Sequence, residues 1–222
     1  MSKRIIGLAL AVVSAALLAL PALASAETLH IDQLTTFSVS GSGGTLTSTE
    51  GGSVTCTKTS GKGSFSTSTV GTASLVFTGC TGPFGFACTT GTEPSGTITA
   101  HNSFDLITVS SGKPGVLLTP ASSNEPTAGK GKQFTEFSCL GISIKVFGTG
   151  SIGTLSTSVC SAASTTSTLT FASTATSGHQ EDITYTGGTF DLLSTITAKH
   201  PTSSLDGNAT LTYPGARIAT CT

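Results

Sequence analysis

Leu34-Thr35-Thr36-Phe37-Ser38-Val39-Ser40 decides the fold, because from Phe37 onward apolar and hydroxyl residues alternate one for one. That period belongs to a strand with one buried face and one wet face. The pattern returns in Gly63-Ser64-Phe65-Ser66-Thr67, Gly96-Thr97-Ile98-Thr99-Ala100, Ile142-Ser143-Ile144-Lys145-Val146-Phe147 and Thr168-Leu169-Thr170-Phe171. Threonine, being β-branched, suits the solvent side of such strands. The 27 glycines punctuate the runs, as in Gly41-Ser42-Gly43-Gly44, Gly187-Gly188 and Asp206-Gly207. Tyr213-Pro214-Gly215-Ala216 places proline and glycine as a type II turn does, which predicts a final hairpin of 209–213 with 217–222. No segment past residue 26 shows helical spacing with caps. The expected fold is all-β: a disulfide-stapled antiparallel β-sandwich, with a flattened β-barrel as the alternative.

A Ser/Thr-rich chain with few charges can instead be a disordered stalk. Leu75-Val76-Phe77 and Leu192-Leu193-Ser194-Thr195-Ile196 argue against that, since such apolar runs need a core. The N-terminus reads differently again. Lys3 and Arg4 precede the apolar run from Ile5 to Leu20, Pro21 breaks it, and Ala24-Ser25-Ala26 is a small-x-small cleavage pattern. Residues 1–26 are thus an expected signal peptide, cut between Ala26 and Glu27, and 27–222 a single exported all-β domain. Within it, 120–132 is a polar surface loop joining two halves of the sheet system.

Charged residues make up 9% of the chain, against about 25% in an average globular protein. The formal net charge is −1, and it becomes more negative once Lys3 and Arg4 leave. No basic patch is present to neutralise phosphates, so nucleic acid is not an expected partner. No later segment approaches the ~18 continuous apolar residues of a spanning helix, so no membrane span is expected in the mature chain.

Six cysteines in an exported chain imply up to three disulfides, and spacing alone leaves about 15 connectivities open. Pairing of neighbours suits hairpins best, giving Cys56–Cys80, Cys88–Cys139 and Cys160–Cys221. A metal site would need close pairs such as C-x2-C, and no two cysteines are closer than Cys80 and Cys88. Around these cysteines stand Val54-Thr55-Cys56-Thr57, Phe77-Thr78-Gly79-Cys80, Ala87-Cys88-Thr89-Thr90 and Phe134-Thr135-Glu136-Phe137-Ser138-Cys139. With Gly96-Thr97-Ile98-Thr99, Val116-Leu117-Leu118-Thr119-Pro120 and Thr168-Leu169-Thr170-Phe171, they make the chain resemble a group of secreted bacterial Ser/Thr-rich, cysteine-containing all-β proteins. That group has no assigned activity. The resemblance implies an address and a fold, and no catalytic residue.

Several stretches carry the letters of a chemical motif without its context. Gly148-Thr149-Gly150-Ser151-Ile152-Gly153 is formally G-x-G-x-x-G, but a strand-like stretch follows where the dinucleotide site needs a helix, so a tight hairpin turn is expected. Lys130-Gly131-Lys132 lacks the Walker glycine spacing. His101, Ser103 and Asp105 are the residue types of a hydrolase triad, yet their spacing puts them in a row on one strand face rather than converging. His179, Glu181 and Asp182 have metal-ligand chemistry but too few oxygens for Ca²⁺, which takes 6–8. Thr-x-Thr pairs, such as Thr97/Thr99 and Thr195/Thr197, recur at irregular intervals, unlike the constant coils of an ice-binding solenoid. Asn208-Ala209-Thr210 is a glycosylation sequon by pattern only.

No enzyme activity, cofactor or metal is expected from this inventory. The expected function is a secreted or cell-surface structural or interaction protein, whose partner is a protein or a cell-wall polymer, with self-association through uncharged strand edges also open. The alternative is a carbohydrate- or cell-wall-binding module. That reading suffers from the absence of Trp and rests on Tyr185 and Tyr213, the eleven Phe being expected to alternate mostly inward.

Overall fold

The computed structural model describes residues 29–110, 112–121, 132–156, 165–174, 178–185, 188–189, 192–194, 202–214 and 218–219. The expected cleavage site at Ala26 and Glu27, most of the 120–132 loop, and both Cys160 and Cys221 lie outside these residues. The strands are β1 (His30–Ile31), β2 (Thr36–Ser48), β3 (Ser53–Cys56), β4 (Lys58–Phe65), β5 (Val70–Thr78) and β6 (Cys88–Thr89). Next come β7 (Ile98–Thr108), β8 (Pro114–Pro120), β9 (Lys132–Cys139), β10 (Ile142–Gly148), β11 (Ser151–Ser156) and β12 (Thr166–Phe171). The last are β13 (Thr184–Tyr185), β14 (Gly188–Thr189), β15 (Leu192–Ser194), β16 (Thr202–Thr212) and β17 (Ile218–Ala219). Among the described residues the one helical element is a 3-10 turn, Pro83–Gly85.

Eight strands form a closed antiparallel barrel in the order β2-β4-β5-β7-β8-β11-β12-β16, with β16 paired back onto β2. Spatial order follows chain order, so this is an up-and-down barrel with other strands inserted between its staves. The expected sandwich is therefore replaced by the barrel. Its cause is the β2–β16 pairing, which runs from Ser38↔Thr212 to Ser48↔Ser203 and leaves the eight staves with no edge. Closure also removes from these staves the free edges on which self-association by strand pairing was expected to rest.

Alternation places Phe37 and Val39 of β2, Phe104 and Leu106 of β7, Val116 and Leu118 of β8, and Leu169 and Phe171 of β12 inside. At the end where β2 begins, Phe37, Phe65, Phe104 and Tyr213 pack together. Ring centroids lie 4.9 Å apart for Phe65–Phe104, 5.5 Å for Phe37–Phe104 and 5.8 Å for Phe37–Tyr213. Glycines opposite them make the room: a Cβ at Gly63 would lie 2.3 Å from Phe37 Cζ, and one at Gly71 2.5 Å from Phe104 Cζ. Leu29 and Ile31 bury beside this aromatic group, and the Ile31 amide donates to the Ser68 carbonyl (2.7 Å).

Outward residues are polar: Lys58, Ser60, Lys62 and Ser64 on β4, and His101, Ser103 and Asp105 on β7. This is the reverse of a membrane-spanning barrel, which turns an apolar band outward. One outer patch of Ile107, Val109, Leu117 and Ile152 is apolar, and Tyr185 of the β13–β14 ribbon packs on it.

Beyond the barrel's other end, β2 and β16 continue into a second ring, the cap. There β3 pairs with β2, while β15, β10, β9 and β6 continue from β16. Isolated bridges Thr55↔Thr81 and Thr81↔Ala87 complete the circuit. Disulfides Cys56–Cys80 and Cys88–Cys139 flank these bridges, and all four cysteines are buried. The cap lies against the barrel mouth, where the Thr135 hydroxyl donates to the Thr99 carbonyl (2.7 Å).

Two turns differ from expectation. The strands flanking Thr149 and Gly150 do not pair with each other: β10 pairs with β9 and β15, β11 with β8 and β12. The glycine-rich stretch thus passes the chain from cap to barrel instead of forming a hairpin. Likewise β17 pairs with β1, not with β16, so among the described residues the expected terminal hairpin is not formed.

Candidate interaction surface

At the far tip of the cap, two short connections meet across β6 and β9. Cys88 opposes Cys139 and Thr89 opposes Ser138 in an antiparallel register. The ladder ends at Cys88↔Cys139, so the chain before Cys88 enters β6 at the same end at which β9 turns through Leu140-Gly141 into β10. The other connection is Gly82-Pro83-Phe84-Gly85-Phe86, pinned at its base by the Gly82 amide donating to the Phe86 carbonyl (2.8 Å). Gly82 itself sits against both sulfurs of the second disulfide, since a Cβ there would lie 2.9 Å from Cys88 Sγ and 3.0 Å from Cys139 Sγ.

This tip carries an unusual group of side chains. Phe84 is 96% exposed, Ile142 66%, Leu140 64% and Phe86 43%. Two of them stand on left-handed backbone, Phe84 at φ 65° and Leu140 at φ 52°, the only two non-glycine residues there among those described. Left-handed backbone costs an L-residue about 1–2 kcal/mol. Leu140 and Gly141 (φ 77°) form a two-residue hairpin loop with both φ positive, as in a type I′ turn, where Asn or Gly is favoured first. An exposed leucine there adds nothing to the core and strains the turn.

No charged residue lies between Gly82 and Thr90 or between Ser138 and Ser143. The nearest charges on the hairpin are Glu136 and Lys145, a cross-strand ion pair (3.6 Å), and Glu136 also accepts from the Ser143 hydroxyl (2.5 Å). Both partners are about half exposed, so the pair orders the hairpin more than it stabilises it.

The residues singled out from sequence fall elsewhere. His101, Ser103 and Asp105 are aligned along the outer face of β7 and do not converge. Burial raises the Asp105 carboxyl above its ordinary value, offset in part by hydrogen bonds from Thr69 and the Leu106 amide. His179 and Glu181 point to solvent around the buried Gln180, with Asp182 half-buried. The Gln180 amide donates to the Ala172 and Leu205 carbonyls and accepts from the Leu205 amide, stitching this segment onto β16. Among the described residues no group of three or more His, Cys, Asp or Glu is placed to share a metal ion. Tyr213 is 1% exposed, so it offers no face to a sugar, and burial pushes its phenol well above the ordinary value. Tyr185 is half-buried on the barrel wall. Asn208 is exposed on β16 and its Oδ1 accepts from the Ser42 hydroxyl (3.3 Å). The described Thr-x-Thr pairs do not share one face: Thr55 is on β3 of the cap, Thr67 and Thr69 lie in the turn between β4 and β5, and Thr97 is buried.

The tip itself was missed, because phenylalanines were expected to alternate inward. The available signal was Phe84 and Phe86 set among Pro83, Gly82 and Gly85, where no strand can bury them. Comparison of the chain with protein-family models, curated proteins and solved structures finds no match.

Proposed function

We propose that this chain is a non-enzymatic interaction protein of the cell surface or extracellular space, and that it docks a protein partner through Phe84, Phe86, Leu140 and Ile142. One observation carries the reading: exposed apolar side chains are held on unfavourable backbone at a doubly stapled tip. Strained residues persist where the surrounding structure over-determines them, and they cluster at working surfaces. Aromatic anchors on a rigid support lose little entropy on docking. The two disulfides suit an oxidising compartment.

A protein fits better than the other polymers. Phenylalanine gives a sugar no hydrogen bond to its hydroxyls, unlike Tyr or Trp. A tip without Lys or Arg lacks the attraction to anionic headgroups that interfacial anchors use. The partner is expected to present a concave apolar site to this convex knob.

The test places a photo-crosslinking side chain at position 84, with a control at Lys62 on the barrel wall, in extracellular fractions of the source cells. The expected result is a discrete adduct at 84, absent at 62, and competed at least tenfold better by unlabelled wild-type protein than by a Phe84→Ser/Leu140→Ser variant. Equal competition by the two proteins, adducts of equal yield at both sites, or retention on peptidoglycan unaffected by the double variant would overturn the reading.

A further inference from the structure

The barrel interior is not filled. A cavity of about 70 Å³ lies among Phe37, Phe104, Leu169 and Phe171, and a second of about 100 Å³ lies nearer the cap among Ile98, Phe134, Phe137 and Val146. Both are bounded by Gly44, Leu75, Phe77, Leu118 and Leu205, so the two chambers are neighbours with these residues between them. Close-packed interiors hold few voids larger than a water molecule. Eight-stranded barrels are the size at which the interior either fills with side chains or holds one small ligand.

The upper chamber is also marked chemically. Asn102 and Ser151, 3% and 4% exposed, both line it, and Asn102 Oδ1 and Ser151 Oγ are buried without a hydrogen-bond partner in the protein. They come from the strands on either side of β8, Asn102 opposite Pro120 and Ser151 opposite Leu118, so they stand at nearly one level of the wall. Leaving a buried polar group unpaired costs about 1–3 kcal/mol, and two at the same level on one cavity wall are unusual. The amide oxygen requires a donor, and the serine hydroxyl both donates and accepts. No charged side chain lines the upper chamber, which excludes an ionised head.

We infer that the barrel binds one slender neutral amphiphile, with a hydroxyl-type head on Asn102 and Ser151 and an alkyl tail that passes between Leu75 and Leu118 into the lower chamber. This site is independent of the tip, whose four side chains line neither chamber. A lone buried water would also satisfy the two polar atoms. The two occupants differ in what they do with the lower chamber, which only the amphiphile's tail enters.

The experiment titrates the folded, oxidised protein with 1-octanol and with n-octane by NMR, following methyl and ring shifts of both chambers. The expected result is saturable 1:1 binding of 1-octanol, with contacts from its terminal methyl to Phe37 or Leu169, and affinity about tenfold above that of n-octane. In Asn102→Leu, and separately in Ser151→Ala, the advantage of the alcohol should shrink at least threefold while n-octane binding is kept. The second variant removes one hydroxyl only, so it guards against misfolding of the first. No saturable shift with either probe would overturn the inference. So would equal affinity for both probes in wild-type protein, the result of a water site only.

Discussion

Barrel and cap each close a ring of strands, but not in the same way. The barrel closes where Ser38–Gly41 of β2 pair with Ala209–Thr212 of β16, over a core of aromatic and aliphatic side chains, and every other junction between its staves is a continuous ladder. The cap closes through single bridges at Thr81, with Cys56–Cys80 and Cys88–Cys139 on either side of them. Where the ladder is long and the core thick, none of the described cysteines is used. Where the ladder shrinks to isolated bridges, covalent bonds stand in for it. The strain is also divided unevenly, since both non-glycine residues on left-handed backbone belong to the cap.

Four variants sharpen this contrast. Phe104→Ala removes the ring shared by Phe37 and Phe65 and should cost about 3–5 kcal/mol, lowering the melting temperature of the whole protein. A loss confined to the cap in hydrogen exchange would contradict the barrel's dominance. Replacing Cys88 and Cys139 together by Ala should cost about 3–4 kcal/mol in the chain-entropy model. Here amide exchange should rise first in β6, β9 and β10 and leave β4, β5 and β7 protected. Gly63→Ala pushes a methyl into Phe37 and the Thr72 carbonyl, so a denaturant midpoint lowered by about 1–3 kcal/mol of stability is expected. Leu140→Asn should act in the opposite direction, stabilising by up to about 1 kcal/mol, while weakening crosslinking at the tip. A destabilised Leu140→Asn would show that the leucine serves the fold after all.

Local alternation made the strands legible, since Phe37, Val39, Leu169 and Phe171 are inward as their spacing predicts. It could not decide between sandwich and barrel. Both architectures ask the same of each strand, and the difference lies in whether residues 38–48 meet residues 203–212, which no local signal encodes. The same limit explains Gly148 to Gly153, where the break between two strands was readable but the expected hairpin is not formed, because the partners of those strands lie elsewhere. Cysteine spacing suited neighbours, and Cys56–Cys80 and Cys88–Cys139 are bonded that way. The tip was hidden for another reason: an apolar residue reads as core unless the backbone that carries it is known. Asn102 illustrates the converse, a polar residue at an inward position whose burial only the closed barrel reveals.

The pairing of β2 with β16 has a kinetic meaning as well. Those strands stand near opposite ends of the described chain, and each is a wall of both rings. Neither ring can be completed until the last long strand has arrived, so assembly waits on a contact between residues more than 150 positions apart, a slow kind to form. Both disulfides join residues that precede β16 and can form while the barrel is still open. A chain cut before residue 202 would therefore carry both its staples and yet have neither ring closed.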